Sequence, residues 1–518
     1  MRLFRATTRD FVTFASLERL PFEDLPSKSG GQAQRRSPYD GAALSFSANT
    51  NARTPRRTRV RRPRRAGRPA WALAAALAAL TLAACAPHRR AEPDLARLYA
   101  PFAAKPKTPV IVLPGVLGSR LIDPRTGGEV WPGGTANLLV GHRLARLALP
   151  VAAGETRGEL VAAGFFHDYA GQDFYGRLLA TLTGPGGYHC VPASEVSADS
   201  DCVLFAWDWR RDFTEAAARL DALIERIQAL RADPNLKVDL VAHSAGGLVV
   251  RYFARYGARD VLDHEPMPAD ISMAGARKIR RAVLIGTPNY GSISALQRAL
   301  MGARVGLATI RPEVLATMPG FYELLPHPDR SWMIDVRGNR IERDLYDPAT
   351  WRNYQWSVFD PAVRRRIRKS AGTRAAASSR IADLERAFAS GLERGRRFHR
   401  ALSIPVTDAP NEYIVFGGDC TLTPARCLLE TVEGKTRIRL DPSEVRNRIE
   451  GVDYAALMLE PGDGRVTKAS LLARDTLDPA QSGAGFFPID YAVMICEEHA
   501  QLPSDVGFRD NLLNILLY

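Results

Sequence analysis

The sequence predicts an α/β fold in which helices flank a mostly parallel central sheet. Short runs rich in Val, Ile, Leu and Phe, each followed by turn residues, alternate with helical patterns along residues 86–518. Continuous apolar runs of this kind are typical of parallel strands, because helices bury both faces of such strands. The length of this region suffices for one large domain or two ordinary ones.

Five apolar runs are the candidate strands, and a clear amphipathic helix lies between two of them. The runs are 110–113, 203–206, 238–241, 282–285 and 413–416. Residues 213–230 place apolar side chains, among them Leu220, Leu223 and Ile227, on one stripe at helical spacing. Asp233-Pro234 ends that pattern.

Ser244 lies between small residues at the junction of a predicted strand and a predicted helix. A nucleophile elbow needs a sharp turn there, which holds the serine hydroxyl clear of the backbone and tolerates only small neighbours. Ala242 and Gly246 are those neighbours, and Ala242 stands where the usual pattern has glycine. An ordinary glycine-rich turn is the alternative. The strand before Ser244 and the helical spacing of Leu248 and Phe253 after it favour the elbow, and therefore an α/β-hydrolase fold.

A serine nucleophile needs a histidine base, and chain order restricts the choice of histidine. In α/β-hydrolases the order is serine, acid, histidine. Four histidines follow Ser244: His264, His327, His399 and His499. The first three precede the last predicted strands, whereas His499 follows them and precedes a terminal helix, so His499 is the predicted base. His243, next to the serine, is predicted to be a packing or hydrogen-bonding residue.

The acid and the oxyanion hole are less specific. Asp463 lies in Pro461-Gly462-Asp463-Gly464-Arg465-Val466, and Asp419 follows a strand in Gly417-Gly418-Asp419-Cys420. Each aspartate is equally compatible with plain turn chemistry, so the residues alone do not separate them. The backbone N–H groups of Ala245 and of Leu117, in the loop after the first strand, are the predicted oxyanion donors.

The formal charge of +14 suggests a polyanionic partner, but its distribution does not. Residues 1–84 contain sixteen Arg or Lys and five Asp or Glu, a net of +11, which leaves about +3 for the rest of the chain. We therefore expect no nucleic-acid partner. Eight arginines within 56–68 precede an apolar run at 71–84, which is typical of a secretory signal over about 56–84.

The signal ends in Leu82-Ala83-Ala84-Cys85, which resembles the lipobox of bacterial lipoproteins. Cys85 is thus the predicted lipidation site of an exported, membrane-anchored protein at the periplasmic face or outer membrane. A plain cleaved signal and a secreted protein are the alternative. Residues 2–54 are polar and lack periodicity, so we expect that the true start lies downstream, for instance at Val60.

Five cysteines follow Cys85, and an exported chain meets an oxidising compartment. Near neighbours suggest the bridges Cys190–Cys202 and Cys420–Cys427, which would leave Cys496 as a buried free thiol. No Cys/His cluster has zinc spacing, so no metal is expected, and no cofactor either.

The pattern changes between the fourth and fifth strands. Residues 289–404 are rich in Arg, Trp and Tyr and include an amphipathic helix through Ile381, Leu384 and Phe388, which predicts a helical cap inserted into the core (106–288 and 405–518). A smaller insertion is predicted at about 120–171, and 85–105 as a tether. The basic run 364–369 could face anionic lipid, but a solvated helix face is favoured.

Five motifs, in this order, resemble the lecithin:cholesterol acyltransferase-like enzymes, which include a lysosomal phospholipase and phospholipid:diacylglycerol acyltransferases. The motifs are Pro109-Val110-Ile111-Val112-Leu113-Pro114-Gly115-Val116-Leu117-Gly118-Ser119, Ala206-Trp207-Asp208-Trp209-Arg210, Ala242-His243-Ser244-Ala245-Gly246-Gly247-Leu248-Val249, Gly286-Thr287-Pro288, and Gly462-Asp463-Gly464-Arg465-Val466. The resemblance places the catalytic aspartate on Asp463, with Arg465 in place of the usual threonine. It also implies an internal ion pair between Asp208 and Arg210.

The resemblance implies lipid esters as substrates, and the predicted residues imply acyl transfer through an acyl-enzyme on Ser244. Water as acceptor would make the protein a phospholipase or esterase, and a lipid hydroxyl would make it an acyltransferase. The membrane surface is a predicted partner through the lipid anchor and the cap, and the sequence leaves the oligomeric state open. A non-catalytic lipid-binding lipoprotein on a hydrolase scaffold is the alternative.

Overall fold

Strands and helices alternate along the chain in a computed structural model, which describes residues 92–134, 141–152, 159–169, 172–264, 271–406, 408–474 and 488–518. The predicted leader (1–84), signal (56–84) and Cys85 lie outside the described residues. The strands are β1 (Val110–Leu113), β2 (Ser119–Ile122), β3 (Glu129–Trp131), β4 (Val161–Phe165), β5 (Asp168–Tyr169), β6 (Gln172–Asp173), β7 (Cys190–Pro192), β8 (Cys202–Leu204), β9 (Val238–His243), β10 (Ile279–Ile285), β11 (Ala303–Val305), β12 (Ala308–Ile310), β13 (Met333–Ile334), β14 (Glu412–Gly418), β15 (Thr421–Pro424), β16 (Cys427–Val432), β17 (Lys435–Arg439), β18 (Leu459–Gly462) and β19 (Tyr491–Ile495).

The helices cover the sheet and fill the long segment between β10 and β14. They are α1 (Leu95–Ala103), α2 (Gly176–Thr183), α3 (Phe213–Leu230), α4 (Ala245–Tyr256), α5 (Ile293–Met301), α6 (Pro312–Leu315), α7 (Pro319–Tyr322), α8 (Pro348–Asn353), α9 (Pro361–Ser370), α10 (Arg374–Ser403), α11 (Tyr454–Met458), α12 (Lys468–Leu471) and α13 (Val506–Leu517). Helix α3 has the bounds that its apolar stripe predicts, and Asp212 caps its first turn by accepting from the Thr214 N–H.

The central sheet has seven strands in the order β7-β8-β1-β9-β10-β14-β19, and every neighbouring pair is parallel. All five predicted strands lie in it, and the run predicted at 203–206 forms β8 two residues shorter at its end. Because parallel strands end at the same edge of a sheet, the loops after β1, β9, β14 and β19 meet there. The α/β-hydrolase fold predicted from the sequence is confirmed.

Two apolar cores lie on the two faces of this sheet. Successive residues of β1 alternate between them, with Ile111 and Leu113 in one core and Val110 and Val112 in the other. Helices α3 and α4 pack in the first core, and α2 and α13 pack in the second. Burial on both faces is why the strands read as continuous apolar runs.

Two parts of the chain form structure outside the central sheet. Strands β2, β3 and β4 form a small antiparallel sheet within residues 119–165. Residues between β10 and β14 include α5 to α10 and the β11–β12 hairpin. The buried Arg251 guanidinium on α4 donates to the Leu402 carbonyl at the end of α10, which fixes that long helix to the core.

The basic run 364–369 lies on α9, and part of it is paired. Arg364 forms an ion pair with Glu385, and Arg366 forms one with Glu313, while Arg365, Arg368 and Lys369 are exposed. None of the helices in the described parts of the chain has the length and apolarity needed to cross a membrane.

The described residues contain two disulfides, and one of them corrects the prediction. Cys190 pairs with Cys202, as expected from their spacing. The expected Cys420–Cys427 bridge is wrong, because Cys420 pairs with Cys496 and Cys427 is the buried free cysteine. The parallel register of β14 and β19 places Gly418 opposite Ile495, so the loops that follow bring Cys420 and Cys496 together. Disulfides are typical of proteins from oxidising, extracellular or periplasmic compartments.

Candidate active site

Ser244 occupies the turn between β9 and α4 with a strained backbone. Its φ is 54° and its ψ is −124°, an arrangement that the residues around it hold in place. A Cβ on Gly246 would lie 2.8 Å from the Pro114 carbonyl oxygen, and a Cβ on Gly115 would lie 2.8 Å from the Ser244 Cβ. Glycine is therefore required at 246 in the elbow and at 115 in the loop after β1, and Ser244 itself is half-buried.

The three side chains predicted as nucleophile, base and acid lie in one hydrogen-bonded row. The Ser244 hydroxyl lies 2.9 Å from His499 Nε2, and His499 Nδ1 lies 2.8 Å from Asp463 Oδ2. His499 and Asp463 are 5% and 2% exposed, so bulk water does not compete for the bond between them. In this geometry Nδ1–H donates to the carboxylate, which leaves the lone pair of Nε2 facing the serine.

Backbone groups fix Asp463 in the turn after β18. Its Oδ1 accepts from the N–H groups of Val466 at 2.7 Å and Arg465 at 2.9 Å, and its own carbonyl accepts from the His499 N–H at 2.9 Å. Burial alone raises the pKa of the Asp463 carboxyl, but His499 and these two N–H groups outweigh burial and hold that pKa below its ordinary value. The charged form is thus the stable one. Arg465 contributes to this turn through its backbone.

Asp419, the other candidate acid, is directed elsewhere. Its Oδ2 lies 2.8 Å from Lys468 Nζ, and both side chains are about 30% exposed, at 29% and 30%. Asp463 rather than Asp419 therefore contacts His499.

The loop after β1 passes against the serine. Leu117 has φ 68°, which is rare for a residue with a side chain, and its carbonyl accepts from the Trp131 indole N–H at 2.8 Å. Among the described residues no group accepts from the Leu117 N–H. The Ala245 N–H, in the first turn of α4, has no partner within its own helix. Their role as oxyanion donors stays a prediction.

His243 hydrogen-bonds on both ring nitrogens, as predicted for a hydrogen-bonding residue. Its Nδ1 lies 2.8 Å from the Tyr175 hydroxyl, and its Nε2 lies 3.0 Å from the His499 carbonyl oxygen. Sequence reasoning missed Tyr175, which immediately precedes α2 and has no distinguishing local pattern.

The Asp208–Arg210 ion pair implied by the sequence resemblance is present and buried. Arg210 Nε and Nη2 donate to the two Asp208 oxygens at 2.8 and 2.7 Å, and Arg210 Nη1 donates to the Leu147 carbonyl. The Trp207 indole N–H donates to the Pro114 carbonyl, so the Trp207–Arg210 segment is hydrogen-bonded to the loop after β1. None of the contacts described for this motif involves the three side chains around Ser244.

No group of His, Cys, Asp or Glu within the described ranges could hold a metal ion. Asp463 is hydrogen-bonded to His499, and His499 to Ser244. This arrangement suits nucleophilic acyl transfer, in which a serine attacks and a histidine moves the proton.

The fold and this edge of the sheet define an α/β-hydrolase. The family model described as lecithin:cholesterol acyltransferase matches residues 196–352 of the chain. The matched segment contains the Trp207-Asp208-Trp209-Arg210, Ser244 and Gly286-Thr287-Pro288 motifs, and it ends before Asp463 and His499. None of the curated proteins compared with the chain matches it.

Solved structures with a similar fold include lipases. The Tle4–Tli4 complex contains a chain with 17% identity and a TM-score of 0.45, covering 78% of this chain and 97% of that one. The Staphylococcus hyicus lipase has 13% identity and a TM-score of 0.32, covering 79% and 94%. The mature Bacillus licheniformis lipase BlEst2 has 11% identity and a TM-score of 0.29, covering 79% and 92%.

Proposed function

We propose that the protein is a serine-dependent lipid acyl-ester enzyme that works through an acyl-enzyme on Ser244. The observation that carries this proposal is the hydrogen-bonded row from Ser244 through His499 to Asp463, with a strained elbow under the serine. Strain of this kind costs free energy and is typical of functional sites.

The row supports the following steps. His499 Nε2 takes the proton of the Ser244 hydroxyl as Oγ attacks the ester carbonyl carbon, and Asp463 stabilises the imidazolium that forms. The N–H groups of Leu117 and Ala245 donate to the developing oxyanion. When the tetrahedral intermediate collapses, the ester bond breaks and His499 returns the proton to the leaving alcohol. Water or a lipid hydroxyl, deprotonated by His499, then attacks the acyl-enzyme and releases Ser244.

The family match over residues 196–352 supports lipid esters as the substrate class. In this proposal residues 289–404 act as the cap, and the choice between hydrolysis and transfer depends on how far they exclude water from the acyl-enzyme. Lipidation at Cys85 would hold the enzyme at the membrane that carries its substrate.

Labelling by a fluorophosphonate tests the catalytic row. We expect the wild type to be labelled on Ser244, Ser244→Ala to be unlabelled, and Asp463→Asn to keep the fold while ester turnover falls by about 10³-fold or more. A folded wild-type protein that resists the reagent would favour the non-catalytic lipid-binding protein instead.

Labelled phospholipid vesicles, offered with and without a long-chain alcohol, test the substrate and the acceptor. Mass spectrometry of the lipid products should show fatty acid if water is the acceptor and a new ester if the alcohol is. Turnover of soluble nitrophenyl esters without any turnover of phospholipid would contradict the lipid assignment.

A further inference from the structure

A hydrogen-bonded chain, separate from the Ser244–His499–Asp463 row, runs from the loop after β1 to the backbone of His499. The Gly115 N–H donates to the Tyr175 hydroxyl oxygen at 2.9 Å, and that hydroxyl lies 2.8 Å from His243 Nδ1. The other ring nitrogen of His243 lies 3.0 Å from the His499 carbonyl oxygen. Every bond in this chain is buried.

The direction of each bond follows from its ends. A carbonyl oxygen only accepts, so His243 Nε2 carries the proton and donates to the His499 carbonyl. Nδ1 of the neutral ring then has a lone pair and accepts from the Tyr175 O–H, and the Tyr175 oxygen accepts from Gly115. Burial, reinforced by the nearby His499, lowers the pKa of His243 to about 3, which keeps this ring neutral.

The chain holds the His499 peptide from a side that Asp463 does not reach. Asp463 accepts from the His499 N–H through its backbone carbonyl and from Nδ1–H through its carboxylate, whereas His243 fixes the His499 carbonyl. Both peptide groups and the ring of His499 are therefore held.

The segment that carries Tyr175 is also tied to the loop that carries His499. The Gln501 side chain donates to the Asp173 carbonyl at 3.3 Å, and the Ser504 hydroxyl donates to the Asp173 carboxylate. Tyr175 itself is 3% exposed, and its ring packs edge-on against His243 at 5.7 Å between centroids. Burial and ring packing therefore fix the position of the Tyr175 hydroxyl.

We propose that Tyr175 and His243 are positioning residues of the acyl-transfer reaction, which set the loop after β1 and His499 in register with Ser244. This inference rests on the proposed function. Neither side chain hydrogen-bonds to a reacting atom, although the His243 ring packs against the His499 ring with 4.9 Å between centroids. Their role is to couple two loops that leave the sheet at different strands, because a misplacement of about 1 Å in such a site can cost about 100-fold in rate.

Tyr175→Phe removes one oxygen and leaves the Gly115 N–H and His243 Nδ1 unpaired. We expect kcat on a soluble nitrophenyl ester, expressed per fluorophosphonate-titrated site, to fall about 10- to 100-fold, with KM within about 3-fold of wild type. Tyr188→Phe is the matched control, since the buried Tyr188 hydroxyl has no hydrogen-bond partner within the described part of the chain. That control should keep the wild-type kcat.

Two substitutions of His243 separate the two ends of the chain. Gln places an amide nitrogen near the position of Nε2 and can still donate to the His499 carbonyl, whereas Asn reaches only the Tyr175 end. We therefore expect His243→Gln to lose less than about 10-fold in kcat and His243→Asn to lose about 10- to 100-fold. Thermal unfolding of each variant reports the structural cost separately, because kcat per titrated site counts folded, reactive enzyme only.

Wild-type kcat per titrated site in Tyr175→Phe or in His243→Asn, each of which breaks the chain, would overturn the positioning role while leaving the proposed function intact. A wild-type protein that neither reacts with the fluorophosphonate nor turns over the ester would instead refute the proposed function itself.

Discussion

Gly286 is the residue at which one added methyl group tests the geometry of the His499–Asp463 bond most directly. It directly follows β10 with φ +56°, and its N–H donates to the Phe416 carbonyl at 2.8 Å. A Cβ built there would lie 3.1 Å from His499 Nδ1 and 3.2 Å from Asp463 Oδ2, the two atoms joined by the 2.8 Å hydrogen bond. Gly286→Ala therefore presses on both ends of that bond.

Gly286→Ala has two effects: the strained backbone lowers folding stability, and the tight contacts lower the rate of ester hydrolysis. An alanine in the left-handed region costs about 1–2 kcal/mol of folding stability. The contacts are a few tenths of an ångström tighter than ordinary van der Waals contact, so His499 or Asp463 must shift by that amount. If about 1 Å of misplacement costs about 100-fold, a shift of this size should lower kcat/KM by about 3- to 10-fold.

Gly434→Ala is the matched control for the backbone effect. Gly434, in the turn between β16 and β17, has φ +72°, and a Cβ there would meet nothing within 4 Å. Urea unfolding should show a loss of about 1–2 kcal/mol in both variants, whereas ester hydrolysis should slow only in Gly286→Ala. Wild-type kcat/KM in Gly286→Ala, at the expected stability loss, would show that the reasoning about this contact is wrong.

Three further predictions concern the choice of acid, the turn that holds Asp463, and the buried His399. Asp419→Asn should keep kcat/KM within about 2-fold because Asp419 pairs with Lys468, whereas Asp463→Asn should lose about 10³-fold or more; equal losses would contradict the assignment of the acid. Arg465→Thr should leave ester hydrolysis within about 3-fold, since threonine keeps the backbone N–H that donates to Asp463, and a large loss would implicate the Arg465 side chain. Burial lowers the pKa of His399 from 6.5 to about 3. Between these pH values the unfolded chain therefore binds more protons than the folded chain. The contribution of His399 to folding stability is thus complete above pH 6.5 and decreases as the pH falls below 6.5. Because glutamine does not titrate, urea unfolding should show about 1.4 kcal/mol less loss between pH 7.5 and pH 5.5 in His399→Gln than in wild type, and identical losses would refute a neutral buried His399.

Local patterns in the sequence predicted the parts of the protein that depend on local conformation. The apolar runs located all five predicted strands in the central sheet, and the stripe of α3 has the observed bounds. The small residues around Ser244 predicted a turn that the structure builds with positive φ. Chain order predicted His499 as the base, and His499 Nε2 lies 2.9 Å from the Ser244 hydroxyl.

Local sequence patterns did not predict contacts between segments that are distant along the chain. Asp419 and Asp463 both lie in glycine-flanked turns after strands, and only packing shows that Asp463 reaches His499 while Asp419 reaches Lys468. The cysteine prediction failed for the same reason: closeness along the chain favoured Cys427, whereas the register of β14 with β19 brings Cys420 to Cys496.

The sequence by itself determined the class of fold, the elbow at Ser244 and the order of the predicted catalytic residues, because each of these depends on the spacing and size of neighbouring side chains. The family resemblance pointed to Asp463, and the tertiary structure shows that Asp463 contacts the histidine. The tertiary structure alone decided which cysteines pair, and that Tyr175 joins the loop after β1 to His499 through His243. The physical reason is that periodicity records which faces of a segment are buried, whereas the partners of a buried polar group are set by which strand ends meet at the edge of the sheet.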